Sequence, residues 1–360
     1  MRRFQRIASA SLLICIASGI AEAQPGTLTA WGDLEHSGRP SGYFAQVAIA
    51  LDWTAGIRTN GTLVRWGDDS QQTALPSGTF SAVAAGEWHG AALRSDGTIA
   101  MWTDHIYYGG YPDAPTDITA IGITCGEYHT VVIKDDGTLY AWGPNATSAV
   151  LTCPTGTFTQ VSGGDQWTVG IRSNGTLVAW GSGNAYNQVT NCPSTGTYVK
   201  VSAGQYHGVA INSSGHLVGW GNDTWDQASC PGSSSYTYRD VSCGYTNTIA
   251  IRDDANATID AWGLDNHGVV SDIPTSGNHW ALAQGQSYLY GLVIVRGTAC
   301  YANCDGSTTP PILNANDFVC FQNLYAAGDS RANCDGSTTP PVLNVNDFTC
   351  FQTAYANGCP

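Results

Sequence analysis

Three observations predict the fold class of this 360-residue chain. Seven near-equal repeats each close on a tryptophan, the last repeat lacks its closing strand while the chain begins with one, and the composition is rich in glycine and aromatics. Together they predict an all-β fold, a seven-bladed β-propeller closed by the N-terminal strand. A small C-terminal α-helical module follows, built from a duplicated loop-helix unit.

The composition comes first. Forty-three Gly, 12 Trp and 17 Tyr suit turn-rich sheets, because glycine supplies positive-φ turns and aromatic side chains fill pleated faces. With 42% hydrophobic and 12% charged residues the chain can bury a core. Fourteen basic against 28 acidic residues leave a formal charge of -14, which disfavours nucleic acid and anionic lipid as partners.

Residues 1–23 read as a secretory signal peptide: Arg2, Arg3 and Arg6, an apolar run from Ile7 to Ile20, then Ala21-Glu22-Ala23. A secreted or cell-surface protein is expected, with no transmembrane segment in the mature chain. Export permits disulfides, and removing Cys15 from the 12 cysteines leaves an odd number.

Residues 24–297 carry the repeat. Its tryptophans are Trp31, Trp66, Trp102, Trp142, Trp180, Trp220 and Trp262, spaced by 35, 36, 40, 38, 40 and 42 residues. Each unit has a lead-in such as Ala85-Gly86-Glu87-Trp88-His89 or Cys125-Gly126-Glu127-Tyr128-His129, then two strands joined at Asn60-Gly61, Asp96-Gly97, Asp136-Gly137, Asn174-Gly175 or Ser214-Gly215. Such dipeptides tolerate positive φ and suit tight hairpins. The sixth unit departs, with Asp253 to Ala257 in place of the dipeptide. Gly26 to Gly32 forms a closing strand, and the lead-in from Gly285 to Val295 ends without one, so the first strand completes the last blade and removes a free edge.

These residues resemble the regulator-of-chromosome-condensation repeat superfamily over about three quarters of the chain. The short period is similar to that of its compact bacterial members, the β-lactamase-inhibitor propellers. In those relatives aromatic residues on one propeller face contact a protein partner, which the resemblance implies here as well.

Antiparallel order places the turn before each histidine position and the exit after each closing tryptophan at one end of the blades. The candidate ligand-binding face is therefore Asp52, Trp53, Trp88, His89, Tyr128, His129, Trp167, Tyr206, His207 and Tyr288. Rigid aromatics suit protein interfaces and also stack on sugar rings. An alternative stands beside this: the histidines hydrogen-bond the neighbouring blade and the closing tryptophans are wedges between blades. Glu87 and Glu127 occupy one repeat position and are either a carboxylate pair or polar turn residues. No catalytic signature accompanies them, so no enzyme is expected. Cys153, Cys192 and Cys230 share one loop position, and Cys125 and Cys243 another, which suggests packing.

Residues 298–360 form the tail. Residues 302–328 and 332–358 share 21 of 27 positions. Asn303, Asp305, Gly306, Asn314 and Asp317, and again Asn333, Asp335, Gly336, Asn344 and Asp347, follow the order of oxygen ligands and glycine in a calcium loop. The tail resembles a dockerin of the cysteine-containing, Gly-Cys-ending type, although Tyr301 and Arg331 stand at the first ligand position and five residues follow each glycine. The resemblance implies calcium as cofactor and a cohesin-like or cell-surface partner, docked through Ala315, Asn316, Val345 and Asn346. Cys300, Cys304, Cys320, Cys334, Cys350 and Cys359 form an even set of disulfide candidates, with Cys300 to Cys359 favoured as a clasp.

The expected function is recognition of a protein or glycan on the propeller face, with assembly or anchoring through the tail. A polysaccharide-active enzyme component and a structural repeat protein without a ligand are the alternatives.

Overall fold

The computed structural model describes residues 27–32, 40–67, 74–103, 113–144, 148–231, 235–275, 278–285 and 290–296, together with Gln322 and Tyr325. The chain divides into two compact units, Met1–Val295 and Arg296–Pro360. The signal segment, Tyr288 and the calcium, docking and disulfide candidates of the tail lie outside the described residues. No helix among the described residues is long and apolar enough to cross a membrane.

The described part of the first unit is all-β, arranged as seven sheets. Six are antiparallel three-strand meanders in chain order. Their inner strands are Phe44–Ile49, Phe80–Ala85, Ala120–Cys125, Phe158–Gly163, Tyr198–Ala203 and Tyr238–Cys243. The middle strands are Trp53–Arg58, His89–Arg94, Thr130–Lys134, Trp167–Arg172, His207–Asn212 and Asn247–Arg252. The outer strands are Leu63–Gly67, Ile99–Thr103, Leu139–Trp142, Leu177–Gly181, Leu217–Gly221 and Ile259–Gly263. Alternation in the middle strands is replaced by near-continuous burial, as expected where both faces of a sheet are covered by neighbouring sheets.

The seventh sheet joins the chain ends. Thr27–Gly32 pairs antiparallel with Tyr290–Arg296, in register Thr27 to Val295 through Gly32 to Tyr290, and Asn278–Leu282 completes the sheet. Gln284–Gly285 adds two parallel pairs to Phe44–Ile49, linking the last repeat to the first.

All seven closing tryptophans are buried. Four of them donate the indole N–H to the exit segment of the preceding repeat: Trp180 to Val150 O at 3.1 Å, Trp220 to Gln188 O at 2.9 Å, Trp262 to Gln227 O at 2.9 Å and Trp31 to Val269 O at 2.8 Å. These are wedges whose single polar atom is satisfied. The glycine after the tryptophan is obligatory in the first repeat: Gly67 has φ +100°, and a Cβ there would lie 2.6 Å from Asp52 O.

The hairpins differ from the two-residue turn expected. In the first repeat Arg58 N bonds Thr62 O at 2.9 Å and Gly61 N bonds Arg58 O at 2.8 Å, leaving a three-residue loop. Only the glycine takes positive φ, at +82°. Asn60 instead accepts from Thr62 N at 3.0 Å and Thr62 Oγ1 at 2.7 Å, so its role is side-chain capping of a type I turn with a glycine bulge.

Polar side chains on the inner strands tie adjacent repeats together. Gln160 accepts from Val201 N and donates to Val201 O, both at 3.0 Å, and Gln46 accepts from Val83 N at 3.0 Å. Asp240 accepts from Leu282 N at 2.8 Å and pairs with Lys200 at 2.6 Å. Between them lies a cavity of about 150 Å³, bordered by Ala82, Gly122, Ile123 and Ser162.

Candidate functional site: an acidic, aromatic end

Backbone bonds place the lead-in turns and the exit segments together, as antiparallel order requires. Gly183 N donates to Gln166 O at 2.9 Å, Asn222 N to Tyr206 O at 2.8 Å and Leu264 N to Thr246 O at 2.9 Å. The candidate face is therefore one end of the sheets, here termed the turn end.

Half of the residues proposed for that face do not reach its surface. Trp53, His89, His129, Trp167 and His207 are buried. The reason is positional: this residue opens the middle strand or directly precedes it, so its side chain enters the gap to the next repeat. His89 Nε2 meets Thr130 Oγ1 at 2.8 Å, His129 Nε2 meets Thr168 Oγ1 at 2.8 Å and His207 Nε2 meets Thr248 Oγ1 at 2.9 Å. Trp167 donates to Gln205 O at 2.9 Å, and Trp53 to Glu87 O at 3.3 Å. These five are stitches between repeats, not surface ligand contacts. Burial holds the histidines neutral, pushing His89 down to about 3, where the nearby His129 adds to the effect, and His129 and His207 to about 4.

Asp52 is exposed, and Trp88, Tyr128 and Tyr206 are half-buried. They remain available to the surface.

The first variable turn position reads Leu51, Glu87, Glu127, Asp165, Gln205 and Tyr245 in chain order. Its side chains meet. Tyr245 Oη donates to Glu87 Oε2 at 3.0 Å. Glu127 is in hydrogen-bonding contact with Glu87, Tyr128 and Asp165, and Asp165 with Tyr206. Two carboxyl groups bond one another only by sharing a proton. Burial raises the Glu127 carboxyl, and burial followed by the neighbouring Glu127 pushes Asp165 up to about 8. Tyr245 is raised well above the ordinary tyrosine range by burial and by the Glu87 charge. Sequence reasoning noted Glu87 and Glu127 but missed Asp165 and Tyr245, although all four share one repeat offset.

Two exposed aromatics were also missed. Tyr186 is 44% exposed and Trp225 is 50% exposed. They occupy equivalent places in successive exit segments, within Asn184 to Gln188 and Asp223 to Gln227. Each loop is fixed from below: Gln188 and Gln227 are fully buried and accept from Tyr186 N at 3.0 Å and Trp225 N at 2.8 Å. Asn184 accepts from Val189 N at 2.9 Å and Asp223 from Ala228 N at 2.8 Å. The Tyr186 and Tyr206 rings lie 5.3 Å apart, which joins the exit segment to the turn.

The charge of this end is one-sided. Turn residues 50–53, 86–89, 126–129, 164–167, 204–207 and 244–247 with exit residues 181–191, 221–230 and 263–272 contain Asp52, Glu87, Glu127, Asp165, Asp223, Asp226, Asp265 and Asp272 and no Lys or Arg. Basic residues gather at the hairpin end, where Arg58, Arg94 and Arg172 lie over the rings of Phe44, Phe80 and Phe158 at 5.3, 5.1 and 5.0 Å.

Among the described residues no group of three His, Cys, Asp or Glu side chains is placed to hold a metal ion. Cys125, Cys153, Cys192, Cys230 and Cys243 are free thiols, and burial pushes them up to about 11 or 12.

The family described as Regulator of chromosome condensation (RCC1) repeat matches residues 120–146 and 198–224. No curated protein is a significant match to the chain. Among solved structures, human WBSCR16 is similar at 13% identity with a TM-score of 0.60, over 76% of this chain and 99% of that one. Prp20p from Saccharomyces cerevisiae, described with its binding to Gsp1p and histones, is similar at 12% identity and TM-score 0.59, over 75% and 91%. The ectodomain of the Physcomitrella patens receptor kinase CR4 is similar at 17% identity and TM-score 0.58, over 72% and 69%. The repeat match and these likenesses show an RCC1-type β-propeller fold.

Proposed function

We propose that this chain is an exported recognition protein whose seven blades close into a ring and whose turn end binds a protein partner. One observation carries the reading: Trp225 and Tyr186 stand exposed on loops braced by buried glutamines, at the end where the carboxyl groups also gather. Rigid, exposed aromatics contribute contact area at low entropic cost. Prp20p, of similar fold, is described with protein partners, which favours protein over glycan as the ligand class.

Export rests on the segment from Arg2 to Ala23, and attachment on the duplicated tail. Oxygen donors at Asn303, Asp305, Asn314 and Asp317, with their counterparts in the second half, suit a hard cation such as calcium. Calorimetry of the full mature chain with calcium tests this part: heat and thermal stabilisation are expected, and their absence removes calcium from the account.

Glu87 accepts from Tyr245 Oη at 3.0 Å and Glu127 is half-buried beside Glu87 and Asp165, which supports a structural role for these carboxyl groups over glycoside hydrolysis. A non-catalytic protein is proposed. Affinity capture with the intact mature protein tests the binding role: partners retained by the parent protein and lost by the Trp225→Ala/Tyr186→Ala double variant are expected. Identical capture by both proteins rejects the turn end.

A further inference from the structure

We propose that the turn end docks a basic segment of its protein partner, with arginine or lysine side chains lying on Trp225 and Tyr186 and facing the surrounding carboxylates. This rests on the reading that the turn end recognises protein, and adds the chemistry of what it recognises.

The first argument is the separation of charge and aromatic surface. At the hairpin end several aromatic faces carry the chain's own cations, as with Arg172 over Phe158 at 5.0 Å and Arg252 over Tyr236 at 3.6 Å. At the turn end no described Lys or Arg lies over Tyr186 or Trp225, and none occurs in described turn residues 164–167, 204–207 and 244–247 or exit residues 181–191, 221–230 and 263–272. An exposed indole flanked by Asp223 and Asp226 offers a guanidinium both a π face and a carboxylate.

The second argument is rigidity. Trp225 N is held by fully buried Gln227, and the loop closes on Asp223, which accepts from Ala228 N and from Ser229 Oγ, both at 2.8 Å. A platform already ordered in the free protein loses little entropy on binding.

The third argument is exclusion. A chain of formal charge -14 whose described turn-end segments carry acidic side chains and no Lys or Arg repels acidic peptides and phosphate backbones. Stacking alone would serve a neutral sugar, but a sugar makes no use of the uniform negative charge.

The test uses the intact mature protein with fluorescent nona-arginine, nona-lysine and nona-glutamate peptides and a neutral xylo-oligosaccharide, followed by anisotropy at low and high salt. Nona-arginine is expected to bind more tightly than nona-lysine, and nona-glutamate not at all. Trp225→Ala and Tyr186→Ala leave net charge unchanged, and each should weaken nona-arginine about fivefold or more. Circular dichroism of both variants should match the parent, since both side chains are exposed. Nona-arginine binding that ignores both substitutions is diffuse attraction to an acidic protein and overturns the proposal. Trp225-dependent binding of the oligosaccharide without the basic peptides also overturns it, while leaving recognition at the turn end intact. Binding of neither class overturns it too, and partner capture then decides the broader reading separately.

Discussion

Tyr245 Oη donates to Glu87 Oε2 at 3.0 Å, joining turns that lie 158 residues apart in the chain. The bond links repeats that are not sequence neighbours. It continues through Glu127 and Asp165 to Tyr206, whose ring stacks near Tyr186. The turn end thus gathers these carboxyl and phenol groups beside one hydrogen bond, and because the buried Asp165 Oδ1 has no hydrogen-bond partner among the described residues the cluster is only partly satisfied.

Removing one hydroxyl tests that bond. Tyr245→Phe keeps the ring and deletes the donor to a carboxylate, so it should destabilise the fold by about 1–3 kcal/mol in chemical denaturation. A change within error would mean that the bond adds nothing to the folded state.

Thermal stability should pass through a maximum as pH is varied. Buried His89, His129 and His207 titrate at about 3 to 4 when folded, below the ordinary 6.5, so only the unfolded chain takes up their protons as pH falls below 6.5. Their contribution is present above 6.5 and lost toward 4, at up to about 1.4 kcal/mol per pH unit for each. Asp165 acts in the opposite sense: its folded value is raised to about 8 from 3.8, so its contribution is full below 3.8 and lost as pH rises through 8. The two terms place the optimum near the histidine value of 6.5. Asp165→Asn should flatten the decline between pH 6.5 and 8 in melting curves and steepen the acid limb, where the Asp165 contribution otherwise opposes that of the histidines.

The stitch between the third and fourth repeats should be costly to cut. His129→Ala removes a buried ring and leaves Thr168 Oγ1 without its 2.8 Å partner. Cavity and orphaned-hydroxyl costs together predict a loss of about 2–5 kcal/mol by denaturant titration.

The five free thiols should be inert in the folded state. Burial pushes Cys125, Cys192, Cys230 and Cys243 up to about 12 and Cys153 to about 11, which leaves almost no thiolate near neutral pH. Mass spectrometry after iodoacetamide at neutral pH should find them unmodified in native protein and alkylated in denaturant.

The sheet framework was legible because it is repetitive. Each tryptophan recurs at one offset, and the unpaired strand at Thr27–Gly32 has an obvious vacancy to fill beside Tyr290–Arg296. The face was only half legible. In the second repeat Trp88 and His89 are adjacent polar-aromatic residues, and sequence cannot say that the middle strand begins at His89 and turns its ring inward. Asp165 and Tyr245 were hidden because chemically different residues share the position of Glu87 and Glu127. Tyr186 lies six residues after Trp180 and six before Cys192, whereas Trp225 lies five after Trp220 and five before Cys230, so the two do not share a fixed distance from their tryptophans. The shared frame of Asn or Asp followed four residues later by Gln was the available signal.

The most direct measurement is hydrogen exchange of the protein alone and with its captured partner. Recognition at the turn end predicts added protection in residues 164–167, 183–191 and 222–229, with the hairpin loops at 58–62, 94–98 and 134–138 unchanged. Protection confined to those hairpin loops would contradict the account.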